Sequence, residues 1–432
     1  MEKLARHVAT QIMAENGGEL SVQLSTRNEA YVLPASREFF ELGQESLAAA
    51  RLEAILQRVL PPGDPSSWSI WSVIIQNQMR AVACLSTDRW KDAAERVSDS
   101  LFEFNKFMAN EANQGRPSWW LPVLWMLCRE SRFLAKQADL EMELHRIEPT
   151  TMASLEERLK KCFGTCNNDK RANHPDSLRR GAVEVANQLF RVYFRLNKVP
   201  LCDGIIRGWE RKSEVHAIPR AHLVTYKYFY GRIKFIGQEY GEAEKALTFA
   251  WQNTPRRFIS QRRKILEYLV PTGLLQRRMV SRHIVSQYNL PLYQDLREAC
   301  TSGDITLFRR LLQQNMLHFV RRGLYIALEA LRLYPVMSTL FRQLHRIQLE
   351  LADANAQQGH LSLDEMVAVL NALGQNIEIV ELECMLCTMI YHGYIKGYVS
   401  HRYRKLVVNR APTAKPFPIM PARDANQPNL AE

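Results

Sequence analysis

No stretch of this 432-residue sequence is apolar for long enough to cross a bilayer, which takes about 20 such residues. The longest nearly uncharged run, Trp119 to Cys128, is half that and is interrupted by Pro122. The first residues carry Glu2, Lys3, Arg6 and His7 among their apolar positions and so lack the continuous core of a secretory signal. An intracellular protein without membrane insertion is expected. The motifs of the common catalytic scaffolds are missing too: there is no glycine-rich phosphate loop, no HExxH helix and no GxSxG elbow. The sequence therefore predicts no enzyme and no cofactor.

Cysteine is sparse, with eight in all, scattered through helical patterns rather than spaced as a disulfide framework. The two-residue spacing of Cys384 and Cys387 suggests zinc only weakly, because no second pair accompanies it. Cys162 and Cys166, with His174 beyond, lack a fourth ligand. Both pairs are expected to be core-packing residues, and no metal site is predicted.

Acids are outnumbered: 45 Asp and Glu stand against 57 Lys and Arg, a formal charge of +12. Such a field attracts polyanions, either nucleic acid or acidic protein segments. Apolar residues at 46% and charged residues at 24% are ordinary for a folded protein.

Strand-like alternation is nearly absent before the last fifty residues, whereas apolar residues recur at three-to-four spacing between breaker clusters at Pro61 to Ser67, Asn110 to Ser118, Asn167 to Asp176 and Asn355 to Gly359. Antiparallel helix pairs follow. Two pairs share a pattern, Trp90 three residues before Ala93 and Tyr240 three before Ala243. In tetratricopeptide-like hairpins the aromatic plugs the inter-helix turn and the alanine permits close approach.

The last hundred residues change character. A helix near Pro335 to Glu350 precedes Ser362-Leu363-Asp364-Glu365, a capping box opening a helix through Leu373. A third helix spans about Ile377 to Tyr391, and Tyr394 to Val399 and Lys405 to Asn409 read as one β-hairpin. Three helices and a hairpin make a winged helix. The predicted fold is all-α, a TPR-like helical-repeat superhelix followed by a C-terminal winged helix. Its expected parts are an N-terminal helical segment (1–60), degenerate repeats (61–335), the winged helix (336–410) and a flexible proline-rich tail (411–432).

Several blocks resemble the PCI domain-containing protein 2 family and its fungal relatives. They are Asn187 to Phe190 with Tyr193 and Phe194, Val224 to Tyr228 with Gly231 and Arg232, Leu269 with Pro271, and Ile390 to Tyr398 followed by Ser400, His401 and Lys405 to Val408. The resemblance covers about residues 160 to 410. It implies a non-catalytic scaffold of a nuclear mRNA export complex at the nuclear pore, bound to a second, larger PCI protein and a small acidic subunit of the DSS/SEM type. A paralogue group tied to the signalosome and to splicing shares the same blocks, and there a protein-only scaffold is implied.

Two basic segments are the candidate nucleic-acid surfaces. One holds Arg256, Arg257, Arg262, Arg263, Lys264, Arg277, Arg278 and Arg282 against the single acid Glu267; cations in a row suit a phosphate backbone or an acidic peptide, and the alternative is a solvated helix face. The other, in the hairpin, holds Lys396, His401, Arg402, Arg404, Lys405 and Arg410 with Tyr398 and Tyr403, a mixture of cations and stacking rings that suits single-stranded RNA. Here the alternative is a plain wing whose cations protect an edge strand. Glu378, Glu381 and Glu383 at the start of the third helix would repel duplex phosphates, so major-groove reading is not expected. Ile395, Tyr398, Val399 and Val407 are the candidate partner-binding residues, and each apolar one could instead fill the domain's own core.

Overall fold

In the computed structural model the described residues are 2–28, 30–41, 45–59, 65–171, 176–210, 218–276, 278–351, 360–409 and 416–418. They are helical almost throughout. The strands among them are β1 (His360–Ser362), β2 (Gly397–Ser400) and β3 (Lys405–Val408). The chain divides into two compact units, Met1–Tyr226 and Lys227–Glu432.

In the first unit the helices Pro65–Ser86, Trp90–Asn113, Leu121–Leu144, Thr151–Asn167 and Arg179–Arg195 each pack on the next. Aromatic side chains fill the seam. Trp71, Phe104 and Trp120 are buried, with ring centroids 5.8 Å apart for Trp71 and Phe104 and 5.5 Å for Phe104 and Trp120, edge to face. The breaker cluster at Asn110 to Ser118 covers the last turn of the helix Trp90–Asn113 and most of the connection to Leu121–Leu144, with Gly115 at φ 69°.

The two segments that share a sequence pattern also share a turn. Asp88 and Gln238 sit in the left-handed region at φ 54° and 63°. The following amide, of Arg89 or Glu239, donates to the carbonyl five residues back, Cys84 or Lys234, at 2.9 Å in both. That closes each preceding helix in a Schellman-type stop and reverses the chain within four residues. The next helices open at Trp90 and Tyr240, and Tyr240 packs its ring 5.5 Å from Phe235. Ala93 and Ala243 are fully buried, as close helix approach requires. Gly231 extends the contact: a Cβ there would lie 2.7 Å from Leu247 Cγ.

The second unit ends in the winged helix. The π-helical turn Arg332–Val336 takes up Pro335 before the helix Met337–Leu351. Then come β1, the helices Leu363–Ala372 and Ile379–Tyr391, and β2 and β3. The sheet order is β1-β3-β2, antiparallel throughout, so a short strand before the second helix joins the predicted hairpin. Ser362 makes no side-chain cap, because it is the last residue of β1, and Glu365 accepts instead from Gln348 Nε2 at 2.6 Å. The expected capping box is thus replaced by a strand-to-helix junction.

The expected flexible tail needs a correction at 416–418, the part of it that is described. Phe417 is 3% exposed, its ring 5.7 Å from that of His345, and the Pro416 carbonyl accepts from the Lys396 amide at 2.8 Å. Burial pushes the His345 imidazole below its ordinary pKa. The rest of the tail, and the breaker residues 60–64, 172–175 and 352–359, lie outside the described residues.

Arg262, read from sequence as a surface cation, is 4% exposed. Its Nε donates to the Thr254 carbonyl at 2.9 Å, its Nη1 to the Tyr288 hydroxyl at 2.8 Å, and its guanidinium lies 4.5 Å over Trp251. It ties the loop ahead of its helix to Tyr288.

Two stability measurements test these contacts by urea denaturation. Gly231→Ala should cost about 1–3 kcal/mol, because Leu247 must leave its rotamer to admit the methyl. Arg262→Ala should cost about 2–4 kcal/mol by stranding two buried polar partners, while Arg257→Ala, which removes an exposed guanidinium from the neighbouring Phe258 ring, costs no more than about 1 kcal/mol. Equal effects of the two arginine substitutions would refute the structural role of Arg262.

Candidate nucleic-acid and partner surfaces

The register of the wing decides which side chains reach solvent. Tyr398 pairs with Val407, Val399 with Leu406, and Ser400 with Lys405. Directly opposed residues share a face, so Tyr398, Val407, Ser400 and Lys405 point one way. Leu406 and Val408, on the opposite face with Val399, are buried together with Leu361 of β1. Of the four partner-binding candidates, Tyr398 is 62% exposed and Val407 shares its face, whereas Ile395 at 1% exposure belongs to the domain's own core. Val399 is half-buried on the inner face.

Charge compensation divides the wing's cations. His401 Nδ1 lies 2.8 Å from the Glu383 carboxylate, and Arg404 Nη1 lies 3.4 Å from Asp364. Lys405 Nζ donates to His360 Nε2 at 3.0 Å. Both carboxylates come from the two preceding helices. Lys396 and Arg402 are exposed without a carboxylate at ion-pair distance among the described residues, and Arg402 lies 5.7 Å from the ring of its neighbour Tyr403, itself 68% exposed. Arg410 lies outside the described residues.

The helical segment is compensated in the same way. Arg278 pairs with Glu244 at 3.3 Å and Arg282 with Glu298 at 3.1 Å, acids that no window of local sequence around residues 256 to 283 contains. Arg263 donates to the Asn289 carbonyl at 3.0 Å, and Arg257 covers the Phe258 ring at 5.0 Å. Arg256 and Lys264 are exposed, Arg262 is buried as described, and Arg277 lies outside the described residues. The local acid Glu267 is taken by Arg322 at 2.8 Å. The run is therefore less cationic in space than in sequence.

Cys162 and Cys166 are buried as expected, and burial raises the Cys162 thiol to about 12. Cys384 and Cys387 are a correction: both are exposed on the helix Ile379–Tyr391 rather than packed. Their helix turns Leu382, Leu386 and Met389 inward and these sulfurs away. Among the described residues, no group of three His, Cys, Asp or Glu could hold a metal, and no helix is long and apolar enough to cross a membrane.

Sequence reading passed over several exposed apolar groups. Val380 is 65% and Tyr391 87% exposed on the last helix, and Ile326 is 73% exposed in the second unit. Their apolar character placed them in the helical stripe, and only packing distinguishes the free members from the buried ones.

No known family profile matches the chain. Individual relatives do. It is 32% identical to the PCI domain-containing protein 2 homolog of Drosophila melanogaster, across 70% of this chain and 73% of that one. With PCI domain-containing protein 2 of Xenopus laevis it shares 28% identity across 78% and 82% of the two chains. It is also 29% identical to the protein CSN12 homolog of Mycosarcoma maydis, across 79% and 81%. With helical hairpins that run into a winged helix, and with a relative above 30% identity over most of both chains, this protein belongs to the PCI domain-containing protein 2 family.

Proposed function

We propose that the protein is a non-catalytic scaffold subunit of a nuclear mRNA export complex at the nuclear pore. In that role it binds a second, larger PCI protein, a small acidic subunit and single-stranded RNA. The observation that carries the RNA contact is the wing, where Lys396 at the base of the hairpin and Arg402 in its turn keep uncompensated charge, with the exposed rings of Tyr398 and Tyr403 along the same hairpin. Unpaired cations supply attraction to phosphates, and exposed rings supply stacking that accepts any base. The acidic start of the helix Ile379–Tyr391, with Glu383 already engaged by His401, speaks for contact through the wing rather than through that helix in a duplex groove. Exposed Val380, Tyr391 and Tyr398 give the same domain apolar surface for a partner subunit.

A second reading rests on the relative named a CSN12 homolog. It makes this chain a protein-only scaffold of a signalosome-associated or splicing-associated assembly, with the wing cations serving solubility.

Fluorescence anisotropy with a single-stranded RNA oligonucleotide separates the two. On the RNA reading, log affinity falls with log salt at a slope of about 3 to 4, the value for about five phosphate contacts at about 0.7 each. Replacing Lys396 and Arg402 with alanine should flatten that slope by about 1.4. A salt-insensitive interaction, or one indifferent to the double substitution, supports the protein-only scaffold.

A further inference from the structure

The first unit contains a cleft of about 940 Å³ bounded by the loop after the helix Gly17–Leu24 and by the helices Leu121–Leu144 and Arg179–Arg195, with the first turns of Arg220–Ile236 on its rim. Four arginines line it: Arg27, Arg129, Arg132 and Arg191. They come from three separate stretches of the sequence and form no run. Two carboxylates also line it, Glu130 and Glu184; among the described residues neither pairs with Arg27, Arg129 or Arg132, and Glu184 lies 3.8 Å from His222 Nε2.

The reason is local. Glu130 is 6% exposed and accepts from the Ser25 hydroxyl and from the Thr26 amide and hydroxyl at 3.2 and 3.0 Å, so it serves to pin the loop. Burial raises its pKa. Glu184, 5% exposed, accepts from Gln188 Nε2 at 2.7 Å and from Asn187 Nδ2 at 3.3 Å. Gln188 in turn presents its oxygen to Arg132 Nε at 2.6 Å. A neutral amide thus stands between the buried acid and the Arg132 guanidinium.

That arrangement leaves cationic forks aimed at open volume. Arg27 lies 4.4 Å over the Phe133 ring, which fixes its plane, and Arg129 spends only its Nε on the Trp125 carbonyl at 3.0 Å. Among the described residues Arg27, Arg129 and Arg132 have no carboxylate at ion-pair distance, whereas Arg278, Arg282, Arg322 and Arg404 all do. Withdrawal from water and the neighbouring Arg191 hold the Arg132 guanidinium down to about 10 despite Glu184, the state of a cation short of an anionic partner.

We infer that this cleft binds a compact, multiply phosphorylated small molecule through Arg27, Arg129 and Arg132. The guanidinium fork matches the spacing of phosphate oxygens. The volume falls at the upper end for small-molecule sites. This site is separate from the wing and does not depend on the function proposed above.

The test is isothermal titration of the full chain with sodium tripolyphosphate at about 0.15 M salt. One ion per chain is expected, with affinity falling at least about tenfold in Arg132→Gln and in the double variant Arg27→Gln, Arg129→Gln. The double variant alters exposed side chains only, so it decides the matter if Arg132→Gln fails to fold. The wing variant Lys396→Ala, Arg402→Ala should bind tripolyphosphate as the parent does. Absence of binding would overturn the inference, as would several weak ions per chain that the wing variant loses equally. Displacement of tripolyphosphate by a single-stranded RNA oligonucleotide would assign the cleft to nucleic acid instead. Equal affinity for a poly-aspartate peptide of the same charge would assign it to an acidic protein segment.

Discussion

At three glycines of the helical body the neighbouring chain comes so close that no side chain fits between. At Gly17 a Cβ would fall 2.1 Å from the Trp119 carbonyl oxygen, at Gly181 2.8 Å from Leu121, and at Gly231 2.7 Å from Leu247. Contacts this short set the spacing between neighbouring helices, because interiors at crystal-like density cannot absorb an added methyl without moving something. Elsewhere side chains fill the seam, as in the aromatic cluster of Trp71, Phe104 and Trp120 and in the buried Arg262 with its tryptophan and tyrosine. Where the helices sit then determines where the surface cations sit.

Cations are abundant, but the fold uses many of them internally. Distant acids neutralise Arg278, Arg282 and Arg404, a glutamate holds His401, and burial removes Arg262. Among the cations left without a carboxylate are Lys396 and Arg402 at the wing and the three forks of the cleft in the first unit. Exposed ion pairs contribute little to stability, so their main consequence here is to mask charge from a polyanion and confine attraction to the unmasked places.

Much of this was legible from the residues. The 3.6-residue spacing marked the helices, the short alternation at 394–409 marked the wing, and the aromatic-to-alanine pattern at Trp90 and Tyr240 marked two turns of one geometry. The resemblance of Ile390 to Val408 to a known family pointed to the membership that relatives in flies and frogs support. The misses share a cause. Strand β1 is three residues long and exists only because β3, more than forty residues later, pairs with it. Ser362 and Glu365 had the local form of a capping box, yet β1 claimed the serine and Gln348 the glutamate. Arg27, Arg129, Arg132 and Arg191 escaped notice because a cleft gathers them from two helices and a loop, whereas the run at 256–282 drew notice that its remote acids partly cancel. Charge in a linear window is a poor guide to charge on a surface built by distant pairing.

The central claim is that this stack of helices and its wing work by adhesion to other macromolecules in an export assembly. Purification of the native protein from nuclei, followed by mass spectrometry of the intact assembly, tests it most directly. The account predicts a stoichiometric complex with a second, larger PCI chain and a small acidic chain. A lone monomer, or an assembly of signalosome or splicing subunits without those two, would contradict it.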